Sequence, residues 1–281
     1  MVQTYLESTL PPGRFVLHSV RHLGAGGLGT VDEVVVAASN SKHPVGTRLA
    51  RKQLGVKWAT HPEVQGRFER EIQMMSVMHH PSIVPLEGIS LPGNTRWYVM
   101  PLYSSSVRAA LEAGRNYADL RAVLGFGLTL AGALAYAHSM NYVHRDIKPE
   151  NVLLDESDCP AIADWGVGQF IHKESVVLDF TRGGPMGTGY YASLEQWSTG
   201  RCGATGDIYS LGVMLAELAA RRAFPIDPIG SGFRHDVVPG INAPSRAFND
   251  LIREMTHVFA ARRPQSMLAV AQRLQGILNF V

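Results

Sequence analysis

The amino-acid sequence predicts an α+β chain in two parts. From Phe15 to Pro101 short β-rich runs alternate with one helical stretch, and from Leu102 onward the pattern is mostly helical. Strands first and helices afterwards place a boundary near Met100 to Ser106. At 281 residues the chain can bury a core without disulfide staples. Hydrophobic residues make up 46% and charged residues 18%, below the roughly 25% usual for soluble proteins, which excludes intrinsic disorder.

The formal net charge of +2 gives no electrostatic reason to expect a nucleic-acid or anionic-membrane partner. Cys159 and Cys202 are too few for a disulfide framework and have no metal-binding spacing, so reduced thiols in a cytoplasmic compartment are expected. The opening MVQTYLESTLPPGRF lacks the basic start and apolar run of a secretory signal. The most apolar segment, Ala122 to Ala137, is bounded by Arg121 and His138 and falls short of the ~20 residues needed to span a bilayer. It is expected to be a buried helix, and no membrane segment is expected in the chain.

In chain order, FVLHSVRHL and VDEVVVAAS read as the first two strands, joined by Leu23-Gly24-Ala25-Gly26-Gly27-Leu28-Gly29-Thr30-Val31. Glycines at 24, 26 and 29 let a backbone approach a phosphate chain, because a Cβ there would hide the N–H donors. The spacing alone also suits a flexible hairpin. A dinucleotide-binding loop should open a helix, whereas here a strand follows. The third strand, within Thr47 to Leu54, puts Ala50, Lys52 and Leu54 on one face by its period of two. A lysine so placed is either a solvated edge residue or a cation for a phosphate and a carboxylate.

That carboxylate would come from the helix after Thr60-His61-Pro62-Glu63, where a Thr-x-x-Glu capping box is expected at Thr60. Val64, Phe68, Glu71, Met75 and Met78 recur at steps of four and three and so share one helix face. Glu71 either reaches water at the edge of this stripe or meets a cation, since a buried lone carboxylate is costly.

The densest constellation is Tyr142 to Leu154, containing HRDIKPEN at 144–151. Asp146, Lys148 and Asn151 lie at offsets 0, 2 and 5 in a turn that enters a short apolar strand. Asp164 follows Asn151 by thirteen residues, in Ala163-Asp164-Trp165-Gly166. Asn151 and Asp164 offer the hard oxygens that Mg²⁺ uses when it also holds substrate phosphates. Asp146 can accept a hydroxyl proton, and Lys148 can offset charge on a phosphoryl group in transfer.

With these residues in place, the sequence resembles the eukaryotic-like protein kinases, Ser/Thr branch, over about Phe15 to Leu278. The resemblance implies a bilobal protein-kinase fold: a small β-rich N-lobe with one main helix at about 14–100, a hinge at about 101–106 and a larger, mainly helical C-lobe at about 107–281. It implies ATP and Mg²⁺ (or Mn²⁺) as cofactors, protein substrates, and transfer of the γ-phosphoryl group to Ser or Thr hydroxyls, with autophosphorylation. Gly24, Gly26, Gly29 and Val31 match the Gly-rich loop, and Ala50 and Lys52 the Ala-x-Lys of the third strand. Glu71 matches the glutamate of the C helix, Met100 the gatekeeper, Tyr103 the hinge donor and Leu153 the floor of the adenine pocket. Asp146, Lys148 and Asn151 match the catalytic loop and Asp164 the metal-binding aspartate. Gly187, Thr188, Glu195, Asp207 and Arg263 match residues that close the activation segment and brace the large lobe.

Lys42, Lys52, Lys57, Lys148 and Lys173 are the only lysines, and two of these five fill both positions where the family needs one. The DIKPEN sequence and Thr188 favour Ser/Thr over Tyr specificity. A small-molecule kinase of the aminoglycoside type usually lacks the lysine after the aspartate, and a catalytically silent relative would not be expected to retain Lys52, Asp146, Asn151 and Asp164. The scarcity of lysine beside arginine hints at a bacterial source. Trp165 stands where the family has phenylalanine, and Ser193-Leu194-Glu195 replaces Ala-Pro-Glu. Arg145 implies a landing point for an activation-segment phosphate, with Thr181 and then Ser175 the candidate acceptors and Thr188 serving the substrate-side loop.

Overall fold

A computed structural model describes residues 13–26, 29–58, 60–91, 95–115, 117, 119–165, 191–200, 202–220, 236–240 and 242–281. Ser175, Thr181, Gly187 and Thr188 lie outside the described residues. The chain divides into two compact units, one comprising 1–79 and 84–103 and the other 80–83 and 104–281. The mixed α+β class is observed, with a sheet-rich first unit and a helical second.

In the first unit β1 (Arg14–Gly26), β2 (Gly29–Asn40), β3 (Arg48–Leu54), β4 (Gly88–Ile89) and β5 (Trp97–Pro101) form an antiparallel sheet in the order β1-β2-β3-β5-β4. One face of this sheet buries Val34, Val36, Leu49 and Val99, with Phe15, Leu17 and Trp97 packed around them. Gly29 has a structural reason of its own: a Cβ there would stand 1.8 Å from the backbone oxygen of Gln53, so β2 and β3 meet only because the side chain is missing.

Helix α1 (Pro62–Val77) buries Val64, Phe68, Glu71 and Met75. Its start corrects the expected capping box: the N-cap is His61, with no side-chain cap bond, and Pro62 opens the helix. The residue before a proline is pushed out of the helical region, and His61 is extended at φ −100°, so His61 cannot be the first helical residue under a Thr60 cap.

The second unit holds β6 (Ser105–Ser106), β7 (Val152–Leu154) and β8 (Pro160–Ile162) in one small sheet. Its helices are α2 (Val107–Glu112), α3 (Leu120–Ser139), α4 (Leu194–Thr199), α5 (Ala204–Ala220), α6 (Ala243–Met255) and α7 (Met267–Leu278). The apolar helix expected over 122–137 runs 20 residues, because Asp119 caps its first turn through Arg121 N–H and the backbone ladder continues past His138. It is the one helix among the described residues long and apolar enough to cross a membrane by length and composition, and half of that stretch is buried within the unit. At Gly127 a Cβ would meet Leu215 of α5 at 2.9 Å and Leu274 of α7 at 3.4 Å, so the missing side chain lets three helices close on one another. Helix α5 is apolar on nearly every side and buries all residues from Gly206 to Leu218, among them Asp207 and Glu217. The segment His80–Ile83 joins this unit through Ile162 N–H to Ser82 O at 2.9 Å.

Candidate active site

In the first unit, strand register assembles most of the residues singled out from sequence. Gly24 pairs with Val31, Val31 with Lys52 and Lys52 with Tyr98, forming one row across four strands. Two residues along β3, Ala50 pairs with Met100. Directly opposed residues of antiparallel strands share a face, so Val31, Ala50, Lys52 and Met100 line the same side of the sheet. Helix α1 brings Glu71 to this group. Lys52 Nζ stands 3.0 Å from Glu71 Oε1 and 3.4 Å from Oε2, and only 9% of Lys52 and none of Glu71 is exposed. Glu71 does not sit at the stripe's edge, nor is Lys52 a solvated edge residue. Tyr103 is half-buried at the end of the unit.

In the second unit the loop between α3 and β7 is built around two buried anchors. The Asp207 carboxylate, fully buried, accepts His144 N–H at 2.9 Å and Arg145 N–H at 2.7 Å, and His138 Nε2 lies 2.8 Å away. These bonds hold Arg145 at φ 68°, a left-handed conformation costly for a non-glycine residue, and Gln196 Nε2 donates to its carbonyl at 2.6 Å. His144 accepts Asp146 N–H at Nδ1 (3.2 Å), so its Nε2 carries the proton donated to Ala163 O at 2.8 Å.

The result is a fixed carboxylate at Asp146. Asn151 spends both amide hydrogens on it, one to the backbone oxygen and one to Oδ2, each at 2.8 Å, and Lys148 Nζ reaches the same Oδ2 at 2.9 Å. With its hydrogens so used, Asn151 keeps Oδ1 as a ligand oxygen. The β7–β8 ladder pairs Val152 with Ile162 and continues through Ala163 N–H to Asn151 O at 2.9 Å, which places the residue before Asp164 against Asn151. Asp164 is held at φ 61°. Leu153, half-buried, points from the middle of β7 to the opposite face from Val152 and Leu154. Trp165 is fully buried, donates to Ile162 O at 3.3 Å and meets the His144 ring edge-on at 4.7 Å. The larger ring is thus absorbed within this unit.

Beyond the loop, Arg263 forks onto Glu195 with contacts of 2.6 and 3.0 Å. Burial alone would raise the Glu195 pKa, but the Arg263 guanidinium together with local backbone and hydroxyl hydrogen bonds outweighs it and holds the carboxyl below its ordinary value of 4.5. A network the sequence reading did not foresee centres on Arg108 of α2, which donates to Glu150 at 3.0 Å, Glu217 at 2.8 Å and the Tyr191 hydroxyl at 2.8 Å. Burial pushes the Tyr191 hydroxyl's pKa well up, and the neighbouring Glu217 charge adds to this, so it stays protonated and donates to Glu217. Glu150 lies within HRDIKPEN and was the one available signal for that network.

Among the described residues no three His, Cys, Asp or Glu side chains converge on a metal position. Asn151 Oδ1 and the Asp164 carboxylate are hard oxygen donors of the kind a divalent ion accepts alongside phosphate and water.

This sheet-and-helix architecture, with a braced loop carrying acid, lysine and amide, defines a phosphotransfer domain. The chain belongs to the protein kinase family: residues 17–274 match the model of the protein kinase domain. It is similar to the serine/threonine-protein kinase PknD of Protochlamydia amoebophila, 29% identical over 75% of this chain and 24% of that protein. A probable serine/threonine-protein kinase of Streptomyces coelicolor is 31% identical over 79% of this chain and 33% of that protein. The receptor-like serine/threonine-protein kinase ALE2 of Arabidopsis thaliana is 32% identical over 80% of this chain and 29% of that protein. The chain thus spans about a quarter to a third of the length of these relatives. The family uses ATP and a divalent metal.

Proposed function

We propose that this domain is an ATP-dependent serine/threonine kinase that phosphorylates protein substrates and its own activation segment. The observation that carries the reading is the Asp146 carboxylate, oriented at once by Asn151 and Lys148 in a loop pinned to Asp207. Asp146 aligns the acceptor hydroxyl and takes its proton as the oxygen attacks the γ-phosphorus and ADP leaves. Lys148 steadies the transferring group. Lys52, oriented by Glu71, holds the α and β phosphates, and Gly24, Gly26 and Gly29 bring backbone N–H groups to them. By the family resemblance Val31, Ala50 and Met100 are the adenine-facing residues of the first unit and Leu153 that of the second, and Tyr103 supplies a backbone donor that Pro101 lacks. Asn151 and Asp164 would hold Mg²⁺, or Mn²⁺ in its place, which would neutralise phosphate charge. The proteins named as relatives support the choice of Ser/Thr.

The fixed backbone of Arg145 supports a role in receiving a phosphate from Thr181 or Ser175, which would add about −1.5 to −2 charge beside the guanidinium, while Thr188 serves the substrate-side loop. The two unpaired cysteines support a reducing, cytoplasmic setting. One experiment tests the reading: incubation of wild type and Asp146→Asn with γ-labelled ATP, Mg²⁺ and a generic protein substrate, followed by mass spectrometry of the chain. Wild type should label protein Ser/Thr and carry phosphate at Thr181 or Ser175; Asp146→Asn should bind ATP equally and transfer about 10²–10⁴ times more slowly. Equal transfer by both proteins refutes the role of Asp146, and an active wild type without activation-segment phosphate refutes autoregulation.

A further inference from the structure

Glu71 has a second donor that no family pattern in the sequence announced. The Tyr98 hydroxyl donates to Glu71 Oε1 at 3.1 Å, the same oxygen that Lys52 Nζ meets at 3.0 Å. Tyr98 is 1% exposed and sits directly opposite Lys52 in the β3–β5 register, with Nζ 5.7 Å above its ring. Its ring also packs at 5.5 Å against Phe68, one turn before Glu71 on α1. A phenylalanine would fill the same space. The hydroxyl adds a hydrogen bond to a fully buried carboxylate.

We propose that Tyr98 is a positioning residue for nucleotide phosphates, holding the Glu71 carboxylate so that the Lys52 ammonium stays aligned during transfer. This rests on the reading of Lys52 as the phosphate-binding lysine. An ammonium has three N–H donors, and those it turns to phosphate are withdrawn from Glu71. A buried carboxylate that loses part of its donor set is destabilised and is drawn toward water, carrying α1 with it. Tyr98 comes from β5, a different strand from Lys52, so its donation to Glu71 persists whichever way the ammonium turns. The Phe68 contact adds a second point of attachment on the same helix face, so α1 is gripped at positions 68 and 71 together.

The test is a double-mutant cycle with Tyr98→Phe. The variant keeps the ring and its contact with Phe68, so it should fold with a melting temperature within a few degrees of wild type. Its kcat/KM for ATP should fall roughly tenfold, carried mainly by kcat. In a Glu71→Ala background, where the acceptor is gone, Tyr98→Phe should cause no further loss; a hydroxyl that serves only local packing would cost the same in both backgrounds. If Glu71→Ala does not fold, Glu71→Gln replaces it, and the effect of Tyr98→Phe should shrink to about twofold, since a neutral amide oxygen is a weaker acceptor. Wild-type kcat/KM in a folded Tyr98→Phe protein, or an undiminished tenfold loss in the Glu71 variant, overturns the proposal while leaving the kinase reading intact. Absence of transfer by the wild type itself would overturn both.

Discussion

Two cation–carboxylate pairs, one in each unit, make the same kind of contact to different ends: Glu71 is fully buried, whereas Glu195 keeps about a quarter of its side chain exposed. Arg263 uses all five of its N–H donors on protein: two contacts to Glu195, and one each to the carbonyls of Thr205, Val258 and His257, with its guanidinium 4.9 Å from the Tyr209 ring. Such a group has no donor left to give, and its work is to fix α4 to the loop before α7. Lys52 faces Glu71 with a pivoting ammonium at 3.0 and 3.4 Å, and Tyr98 shares the carboxylate. This pair is stable yet can still be offered to a phosphate. A planar, always-charged guanidinium suits the first task, and a compact ammonium on a flexible stem suits the second.

The contrast is broken most severely by Lys52→Ala. Transfer should fall by about 10²–10³ because a preorganised charge on the phosphates is lost, while stability should fall by only about 1–3 kcal/mol with Tyr98 still donating to Glu71. Steady-state kinetics and urea unfolding of the same preparation check both halves, and near-normal activity would sink the assignment. Arg263→Ala should behave in reverse, costing about 3–5 kcal/mol in urea unfolding by stranding Glu195 and three carbonyls. Arg263→Lys should recover little, since an ammonium cannot reproduce the fork. A lysine variant as stable as wild type would show that the geometry of the fork is unimportant.

The smallest effect concerns pH. The Glu195 carboxyl is held below its ordinary 4.5 in the folded chain, so its contribution is fully present above about pH 4.5 and is lost as pH falls below that through the lowered value. Wild type should therefore lose stability on acidification faster than a Glu195→Gln variant, measured by thermal melts from pH 6 down to pH 3. Parallel pH profiles would show that the pair does not govern that window.

Much of the site was legible because its chemistry is written in short stretches. HRDIKPEN places Asp146, Lys148 and Asn151 within six residues, and the turn that unites them is local. Period-two alternation put Ala50 and Lys52 on one face, and the 3.6-residue period put Glu71 beside Phe68 and Met75. Helix α1 starts one residue later than its Thr-x-x-Glu pattern predicts, because Pro62 holds His61 out of the helical region.

What the sequence by itself determined is the cast of the reaction and the elements that carry it: a strand lysine, a helix glutamate and a loop of acid, lysine and amide. Only the tertiary structure decided which groups support them. Tyr98 reaches Glu71 across 27 positions, Asp207 caps the backbone of Arg145 across 62, and Arg108 meets Glu217 across 109. Neither periodicity nor motif spacing extends that far. Such partners are chosen by the register of a sheet and the packing of helices, which bring distant side chains to buried positions where every donor and acceptor must be matched.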